Sequence, residues 1–307
     1  MIRARRKGRT GRPSDSVLVT GTSTGLGLET ALHLAAEGFR VYAGVRDPAS
    51  GNVVERAAAD RGVALKVVRC ELGDHESMTA AVATVVEETN GIYGLVNNGG
   101  IGLRGAVEDC SEEEIRRVFE TNVFGTIALI RAVLPHMRIA NCGRIVTVTS
   151  VGGRVPGFGV SIYCSSKFAQ EGLGEGLALE LAPFGIQSII VEPGIIKTER
   201  WAAHRGTATG AEDPSGPYHG LFWASEAMAD EIVERSPTRP ADVARTIHAA
   251  LTAEQPRLRY VVGRGASVVI FLRRHLPEPV FERLYFGGQL RRVERAARRS
   301  GVAEGVR

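Results

Sequence analysis

Two spacings of apolar residues alternate along the chain from residue 16 to about residue 195. Short runs that are apolar on both faces predict buried strands, and the segments between them, with apolar residues every three or four positions, predict helices. The predicted strands are SVLVTG, RVYAGV, ALKVVRC, IYGLVNN, GRIVTVTS and IQSIIVEPG, and a further one, LRYVVG, lies nearer the C-terminus. Buried strands separated by helices predict a parallel sheet with helices on both faces, that is, a doubly wound α/β fold of Rossmann type.

The limits of the folded domain are predicted from the places where this alternation stops. Residues 15–290 are expected to form a single domain, because no repeat or low-complexity block interrupts them. Within this domain, residues 198–236 are rich in Gly, Pro and polar residues, which predicts a lid over a binding site or a disordered loop. Residues 1–14 are predicted to be a disordered basic arm, and residues 291–307 a basic C-terminal helix or tail.

Charge and cysteine content narrow the function classes. The net charge of the 307 residues is +4, but six Arg or Lys and one Asp lie within residues 1–15, so the remainder is close to neutral. A neutral body argues against a nucleic-acid partner, and the basic arm is better explained as a solvated tail. The chain has no run of eighteen apolar residues and no secretory signal, and its four cysteines lack CxxC spacing. These features favour a cytoplasmic protein without a metal site or a disulfide framework.

The first predicted strand runs into a glycine-rich turn, TGTSTGLG, at residues 20–27. Its glycines, Gly21, Gly25 and Gly27, form the pattern G-x-x-x-G-x-G. Glycines permit a tight turn and a close approach of the backbone to a pyrophosphate, whose charge is stabilised at the N-terminus of the following helix. The spacing alone is a modest signal, but its position between a strand and a helix predicts a dinucleotide site.

A second motif, Y-x-x-x-K, is formed by Tyr163 and Lys167 in the segment SIYCSSK. Residues four apart on a helix share one face, so the phenol and the ammonium are expected to be neighbours. This motif alone is common, and a pair on a surface helix is its usual explanation. Two further residues change that interpretation: Ser150, which ends the predicted strand IVTVTS, and Asn122, which lies on the long helix predicted from residue 112.

Together these motifs resemble the short-chain dehydrogenase/reductase family in its single-domain form, over about residues 15–200. The resemblance implies a nicotinamide-dependent oxidoreductase that interconverts a ketone and a secondary alcohol, with the catalytic tetrad Asn122, Ser150, Tyr163 and Lys167. Tyr163 would be the general acid or base, and the Lys167 ammonium would lower its pKa from the free value of about 10. Ser150 would stabilise the substrate oxygen, and Asn122 would hold a water that links Lys167 to solvent.

The same resemblance implies where the coenzyme would bind. The expected cofactor-binding residues are Gly21, Thr22, Ser23, Thr24, Gly25, Leu26, Gly27, Arg46, Glu71, Leu72, Asn98, Gly99, Gly100, Tyr163, Lys167, Pro193, Gly194, Ile196 and Thr198. Val45 occupies the position that carries an acid in NAD-binding members, and Arg46 after it can pair with a phosphate. NADP(H) is therefore favoured, with NAD(H) as the alternative. Glu71 stands where the family has Asp, and Gly99 where it has Ala.

The substrate is predicted from the segments expected to face the site: Leu103, the loop 152–159 with Phe158, and the lid. Their apolar character, and a likeness of VYAGVRDP, the lid and LRYVVG to the hydroxysteroid and retinol dehydrogenase branch, favour a sizeable lipophilic ketone or alcohol (steroid-, retinoid- or polyketide-like). Two other functions stay open: a non-redox enzyme such as a dehydratase or epimerase, and a non-catalytic NADP(H)-binding protein. The complete tetrad argues against the last of these.

Self-association is a further implication of the resemblance, as a homodimer or homotetramer packed through the helices of Asn122 and Tyr163. Gly172 and Gly176 share one face of the second helix and would permit such close packing, with close packing inside one chain as the alternative. Residues 267–286 form an amphipathic, basic segment, for which capping of the pocket or subunit packing is favoured over contact with a membrane surface.

Overall fold

The computed structural model describes residues 15–197 and 205–299, so the predicted basic arm and residues 198–204 of the predicted lid lie outside it. The strands within the described residues are β1 (Ser16–Thr20), β2 (Arg40–Val45), β3 (Lys66–Arg69), β4 (Gly94–Asn97), β5 (Gly102–Arg104), β6 (Gly143–Val148), β7 (Ile186–Pro193), β8 (Arg205–Thr207) and β9 (Arg259–Val262). Seven of them form one parallel sheet in the order β3-β2-β1-β4-β6-β7-β9, and β5 pairs with β8 separately. The predicted doubly wound parallel sheet is confirmed.

Helices cover both faces of this sheet. They are α1 (Gly25–Ala36), α2 (Gly51–Asp60), α3 (His75–Thr89), α4 (Glu112–Phe119), α5 (Gly125–Ala140), α6 (Ser161–Leu181), α7 (His219–Glu234), α8 (Pro240–Thr252), α9 (Arg264–His275), α10 (Glu278–Phe281) and α11 (Gly287–Arg299). Helices α1, α2 and α8 pack on one face of the sheet, and α3, α5 and α6 pack on the other.

The strands are apolar on both faces because each face packs against its own layer of helices. In β1, Val17 and Val19 belong to a core cluster with Leu34 of α1 and Ile247 of α8, whereas Leu18 belongs to the cluster on the opposite face. All five side chains are completely buried. Burying a side chain of this size stabilises the fold by about 1.5–3 kcal/mol, so a polar residue at any of these positions would be costly.

Successive strands are added to the sheet on one side of β1 as far as β3, and the next strand of this sheet, β4, is added on the other side of β1. Strands β2 and β3 lie on one side of β1, and β4, β6, β7 and β9 lie on the other. In open parallel sheets the loops that leave the carboxyl ends of the two strands at such a switch point diverge, and the crevice between them is the usual ligand site. The glycine-rich turn after β1 and residues 98–100 after β4 lie on the two sides of this crevice.

The long helix predicted from residue 112 is interrupted. A π-helical turn, Glu120–Phe124, separates α4 from α5, so the hydrogen-bond pattern shifts by one residue at Asn122. In the described part of the chain, only the helical stretch of residues 112–140 is long and apolar enough to cross a membrane. A helix in the core of a protein can have the same length and apolar content. Leu129, Val133 and Met137 of α5 are completely buried against the sheet, as expected of a core helix.

The described part of the predicted lid is more regular than its composition suggests. After β8 and a short 3-10 turn, α7 takes up residues 219–234 and buries Phe222 completely. The glycines and prolines that indicated a loop are concentrated before residue 219, and they obscured the helical spacing that follows. Helix α11 crosses the predicted domain limit at residue 290, and its Val293 and Ala297 are buried.

Candidate active site

The glycine-rich turn after β1 has little room for side chains at two of its three glycines. A Cβ added to Gly27 would lie 2.1 Å from the carbonyl oxygen of Gly21 and 2.5 Å from Asn98 Nδ2, and one on Gly21 would lie 2.7 Å from Gly99 Cα. Gly21 and Gly25 have positive φ angles, 67° and 59°, which glycine adopts without strain. Around Gly25 the space is open, because a Cβ there would meet nothing within 4 Å. A tight turn with open space at the N-terminus of α1 fits the diphosphate of a dinucleotide.

Thr20 joins the two sides of the crevice. Its buried hydroxyl oxygen accepts hydrogen bonds from the backbone N–H groups of Asn98 at 3.1 Å and Gly99 at 2.9 Å. In return, Asn98 Nδ2 donates to the carbonyl oxygens of Thr20 at 3.0 Å and Gly21 at 3.3 Å. Sequence reasoning missed Thr20, although its place at the carboxyl end of a buried strand next to the glycine turn was a usable signal. Leu72 packs beside Gly99, where an added Cβ would lie 2.9 Å from its Cδ1.

The end of β2 carries an exposed arginine. Val45 is buried and Arg46 is exposed, and within residues 15–197 and 205–299 the Arg46 guanidinium makes no ion pair. Asp47 Oδ1 accepts from the backbone N–H of Ala49 at 3.0 Å, so this carboxylate caps the turn after β2. Glu71, at the end of β3, is paired with Arg69 at 2.8 Å. The acidic side chains near the predicted ribose position are therefore engaged within the protein, and Arg46 is not.

The segment after β7 lies beside the same crevice. Pro193 ends the strand opposite Val262 of β9, and a Cβ on Gly194 would lie 2.8 Å from that of Ala266 in α9, so α9 approaches the chain closely there. Ile196 is buried. Thr198, the last predicted coenzyme residue, lies outside the described residues.

Asn122, in the π-helical turn between α4 and α5, is completely buried. Its Oδ1 accepts from the N–H of Ile101 at 2.8 Å, and its Nδ2 donates to the Ile101 carbonyl at 2.9 Å and to Ser166 Oγ at 3.0 Å. Ser166 in turn donates to the carbonyl oxygen of Tyr163 at 2.7 Å. The side chain of Asn122 thus ties the loop after β4 to the helix that carries Tyr163. Helical turns of this kind are frequent at functional sites.

Lys167 lies one turn after Tyr163 on α6 and is almost completely buried. Its Nζ donates to the carbonyl oxygen of Val148 at 3.1 Å and to Gln170 Oε1 at 2.9 Å, and lies 5.8 Å from the centre of the Tyr163 ring. Burial lowers the pKa of Lys167 to about 8, and the nearby carboxylate of Glu171 acts in the opposite direction. Of the residues predicted for the site, Tyr163 and Lys167 are brought together as expected.

Gln170 is a further residue that the sequence did not reveal. Its Oε1 accepts from Lys167, and its Nε2 donates to the main-chain oxygen of Asn122 at 2.7 Å and to Thr126 Oγ1 at 3.1 Å. The side chain of Gln170 therefore joins Lys167 to the main chain at Asn122. Its position three residues after Lys167, just beyond the YxxxK motif, was the signal that the sequence offered.

Ser150 follows β6 and faces Tyr163. Its Oγ accepts from the N–H of Gly152 at 3.0 Å, which holds the start of the loop 152–159. The expected lowering of the pKa of Tyr163 by Lys167 is wrong for the chain by itself: burial raises this pKa to about 12, and it is a hydrogen bond from the Ser150 side chain that acts in the opposite direction. A phenol that is protonated over the whole neutral range, with a hydroxyl beside it and a cation one turn away, can donate a proton to an oxygen placed between Ser150 and Tyr163.

The other serines of this segment have structural roles. Ser161 is the first residue of α6, and Val160 occupies the cap position. Ser165 is exposed and bonds back to the carbonyl oxygen of Ser161 at 2.9 Å. Across the part of the chain that the structure describes, no group of three or more His, Cys, Asp or Glu side chains is arranged to hold a metal.

The described part of the predicted lid and the C-terminal helices lie next to the loop 152–159. Leu103 packs with Phe222 of α7 in a buried cluster, and a Cβ on Gly159 would lie 3.2 Å from the Phe222 ring. One on Gly157 would lie 4.0 Å from Gln289 Oε1 of α11. The segment 267–286 has one buried aromatic side chain, Phe281, and so the C-terminal region packs onto the domain next to the loop 152–159.

Comparison with known proteins agrees with this geometry. The sequence model of the short chain dehydrogenase family matches residues 15–208. Human 17-beta-hydroxysteroid dehydrogenase type 1 is 34% identical over 271 residues, which are 86% of this chain and 81% of the human protein.

Two solved structures are similar over most of the chain. A short-chain dehydrogenase from Streptomyces avermitilis has a TM-score of 0.73 and 32% identity, and the match covers 90% of this chain and 98% of that one. A single-residue variant of actinorhodin polyketide ketoreductase with NADPH has a TM-score of 0.70 and 28% identity, over 82% of this chain and 97% of that one. The chain belongs to the short-chain dehydrogenase family, near its hydroxysteroid dehydrogenase branch, and is an oxidoreductase that acts on CH–OH or C=O groups.

Proposed function

We propose that the protein interconverts a ketone and a secondary alcohol with NADP(H), on a sizeable lipophilic substrate. The observation that carries this proposal is the arrangement of the half-buried Tyr163 phenol and Ser150 hydroxyl beside the buried Lys167 ammonium at the carboxyl edge of the sheet. When bound, a nicotinamide coenzyme supplies the hydride to the carbonyl carbon or accepts it from the alcohol carbon.

The residues of the chain move and hold the proton. In the direction of reduction, the Tyr163 phenol gives its proton to the carbonyl oxygen, and the Ser150 hydroxyl stabilises the charge that develops there. Lys167 stabilises the phenolate that remains. Gln170 and Val148 hold the Lys167 ammonium in place, and Asn122 holds Gln170 through its main-chain oxygen.

The preference for NADP(H) over NAD(H) is supported by the end of β2. Val45 cannot accept a hydrogen bond from a ribose diol, and the Asp47 carboxylate caps the following turn. The exposed Arg46 guanidinium can form a charge-assisted hydrogen bond with a 2′-phosphate. The similar actinorhodin ketoreductase structure contains NADPH, which agrees with this choice.

The lipophilic substrate is supported by the lining of the site, and by the steroid named for the human relative. The apolar side chains of α7 and the loop 152–159 lie where a substrate would approach Tyr163. A panel of steroid, retinoid and polyketide-like ketones, assayed with NADPH and NADH in parallel, tests the proposal. We expect ketone-dependent oxidation of NADPH that is faster than that of NADH.

The two alternative functions are separated by the same panel. A dehydratase or epimerase would convert its substrate without net oxidation of the coenzyme, and a non-catalytic binding protein would bind NADPH without turning over any ketone. Either result would contradict the proposed function. The four cysteines, which are all free thiols in the structure, agree with a cytoplasmic location for this activity.

Self-association through α5 and α6 is part of the proposal. Large apolar side chains on these helices are exposed in the single chain: Ile139 is 81% exposed, Leu179 67% and Phe168 44%. Added Cβ atoms on Gly172 and Gly176 would meet no other element of the described chain, so these glycines are not used for close packing inside it. This face is therefore available to a second copy.

Sedimentation velocity at micromolar concentration is expected to show a dimer or tetramer, and Leu179→Asp is expected to shift it towards monomer because a charge would be buried at the interface. Val53→Asp is the matched control, since Val53 is 51% exposed on α2, away from α5 and α6. A monomeric wild-type chain would contradict this part of the proposal.

A further inference from the structure

A pair of buried carboxylates lies directly behind the active site. Glu171 of α6, one turn after Lys167, is 5% exposed, and Glu192 of β7, just before Pro193, is completely buried. Arg259 of β9 lies between them and places its Nε 3.0 Å from Glu171 Oε2 and 3.2 Å from Glu192 Oε1. Arg154, in the loop after β6, is 2.9 Å from the same Glu192 oxygen.

The Glu171 carboxylate is held on both sides. Thr149, the residue before Ser150, donates its hydroxyl to Glu171 Oε1 at 2.6 Å, and Arg259 donates to Oε2. The backbone N–H of Thr149 donates a hydrogen bond to the carbonyl oxygen of Val191 at 2.9 Å. The carboxylate therefore contacts the strand end that carries Ser150 and lies on the helix that carries Lys167.

The oxygens of the two carboxylates accept fewer hydrogen bonds than they could. Both approach the single Nε–H of Arg259, and the second oxygen of Glu192, Oε2, is buried without a hydrogen-bond partner in the described part of the chain. Burying two like charges side by side is costly, so a role in stability alone does not account well for the arrangement. Burial, together with the charge of Glu192, raises the pKa of Glu171 to about 7.

Among residues 15–197 and 205–299, the hydrogen-bond acceptors of Lys167 are all neutral. The oxygens that accept from its Nζ belong to Val148 and Gln170, and the ring of Tyr163 lies on its other side. Desolvation disfavours a buried ammonium, and a neutral amide or carbonyl offsets this less than a negative charge does. Glu171 lies one turn further along α6 and accepts from Thr149, the residue after the Val148 whose carbonyl oxygen accepts from Lys167 Nζ. At this place its negative charge raises the pKa of Lys167.

We propose that Glu171 is a positioning residue of the reaction: its carboxylate, held by Thr149 and Arg259, keeps the Lys167 ammonium charged beside Tyr163. Arg259 and Arg154 form ion pairs that hold the two carboxylates in place. The negative charge of Glu192 favours the protonation of Glu171 as the pH falls. Glu175, on the exposed side of α6, also pairs with Arg259 and completes the set of charged groups around Glu171. The inference rests on the role proposed above for Lys167.

The test is a direct titration of Lys167 by NMR in the full chain with 13C at the lysine ε-carbon. The chain has four lysines, Lys7, Lys66, Lys167 and Lys197, so the Lys167 signal is assigned by its loss in Lys167→Arg. In Glu171→Gln, which keeps the shape of the side chain, we expect the pKa of Lys167 to fall by about one pH unit, because an attractive charge is removed. Glu175→Gln, the matched control on the same helix, is expected to leave it unchanged.

Enzyme assays give a second readout. In the pH profile of kcat for ketone reduction, the fall at alkaline pH should move to lower pH in Glu171→Gln. At acidic pH Lys167 is charged in both proteins, so kcat should stay near that of the wild type. A merely structural Glu171 would lower activity at every pH and would leave the pKa of Lys167 in place. An unchanged pKa of Lys167 in folded Glu171→Gln overturns the inference.

The wild-type titration keeps the inference testable if Glu171→Gln does not fold. Because burial raises the pKa of Glu171 towards the range in which Lys167 titrates, the Lys167 signal should depart from a one-proton titration curve, and a curve that fits a single ionisation over the whole folded pH range would overturn the inference. These outcomes are independent of the proposed function. Full turnover by Tyr163→Phe would refute the catalytic role of Tyr163 without moving the pKa of Lys167.

Discussion

Tyr163→Phe is expected to lower kcat for ketone reduction by about 100- to 10,000-fold, the range in which a positioned general acid contributes. The substitution removes the phenol proton that the carbonyl oxygen receives and leaves the ring in place beside Lys167. In the proposed mechanism the neighbouring Ser150 hydroxyl stabilises the carbonyl oxygen by a hydrogen bond and is not the source of its proton. The measurement is steady-state oxidation of NADPH with the best ketone of the panel.

The controls separate chemistry from folding and binding. The variant should keep the wild-type melting temperature and its affinity for NADPH, since the rest of the coenzyme crevice is unchanged. Tyr260→Phe removes a phenol that accepts from the N–H of Arg257 at 3.1 Å in β9, away from Tyr163, and is expected to turn over normally. Wild-type kcat in Tyr163→Phe would refute the proposed mechanism.

Arg46→Gln is expected to reduce the preference for NADPH over NADH by about 10- to 100-fold, measured as the ratio of the two kcat/KM values. A hydrogen bond between charged groups contributes about 1.5–3 kcal/mol, and NADH has no 2′-phosphate to receive it. The loss should therefore lie in the KM for NADPH, with little change in kcat or in the KM for NADH. Higher salt should weaken the wild-type preference in the same direction, because Arg46 is exposed.

Arg56→Gln is the matched control for this change. Arg56 is another exposed arginine, on α2, and its loss changes the net charge equally. It should leave both coenzymes unaffected. An Arg46→Gln enzyme that keeps the full preference for NADPH would contradict the proposed coenzyme choice.

Much of the fold was predictable because burial on both faces of a parallel sheet leaves a direct trace in the sequence. Runs such as SVLVT and GRIVTV consist mostly of apolar or β-branched residues, and each is a strand within a residue or two of the predicted limits. The prediction did less well where burial is partial. The short strands β5 and β8 were not predicted, and α7 was hidden inside a segment whose first half is rich in glycine and proline.

The main site residues were predictable for a different reason. The glycine turn and the Tyr163–Lys167 pair are local patterns, whose geometry follows from one turn of chain or one turn of helix. Thr20, Gln170 and Glu171 were missed because their roles depend on contacts between distant segments. Thr20 meets Asn98 and Gly99, which are 78 and 79 residues away, and nothing near Thr20 in the sequence indicates this.

By itself, the sequence determined the layered parallel sheet, the position of the glycine turn and the pairing of Tyr163 with Lys167, since each depends on spacing within a single element. Only the tertiary structure decided which charges surround that pair. Glu171 meets Arg259 across 88 residues because β7 lies between β6 and β9 in the sheet, and the order of strands is a property of the whole fold. The chemistry available to Lys167 depends on that order, because in a buried site desolvation and the neighbouring charges together decide which protonation state of the side chain is favoured.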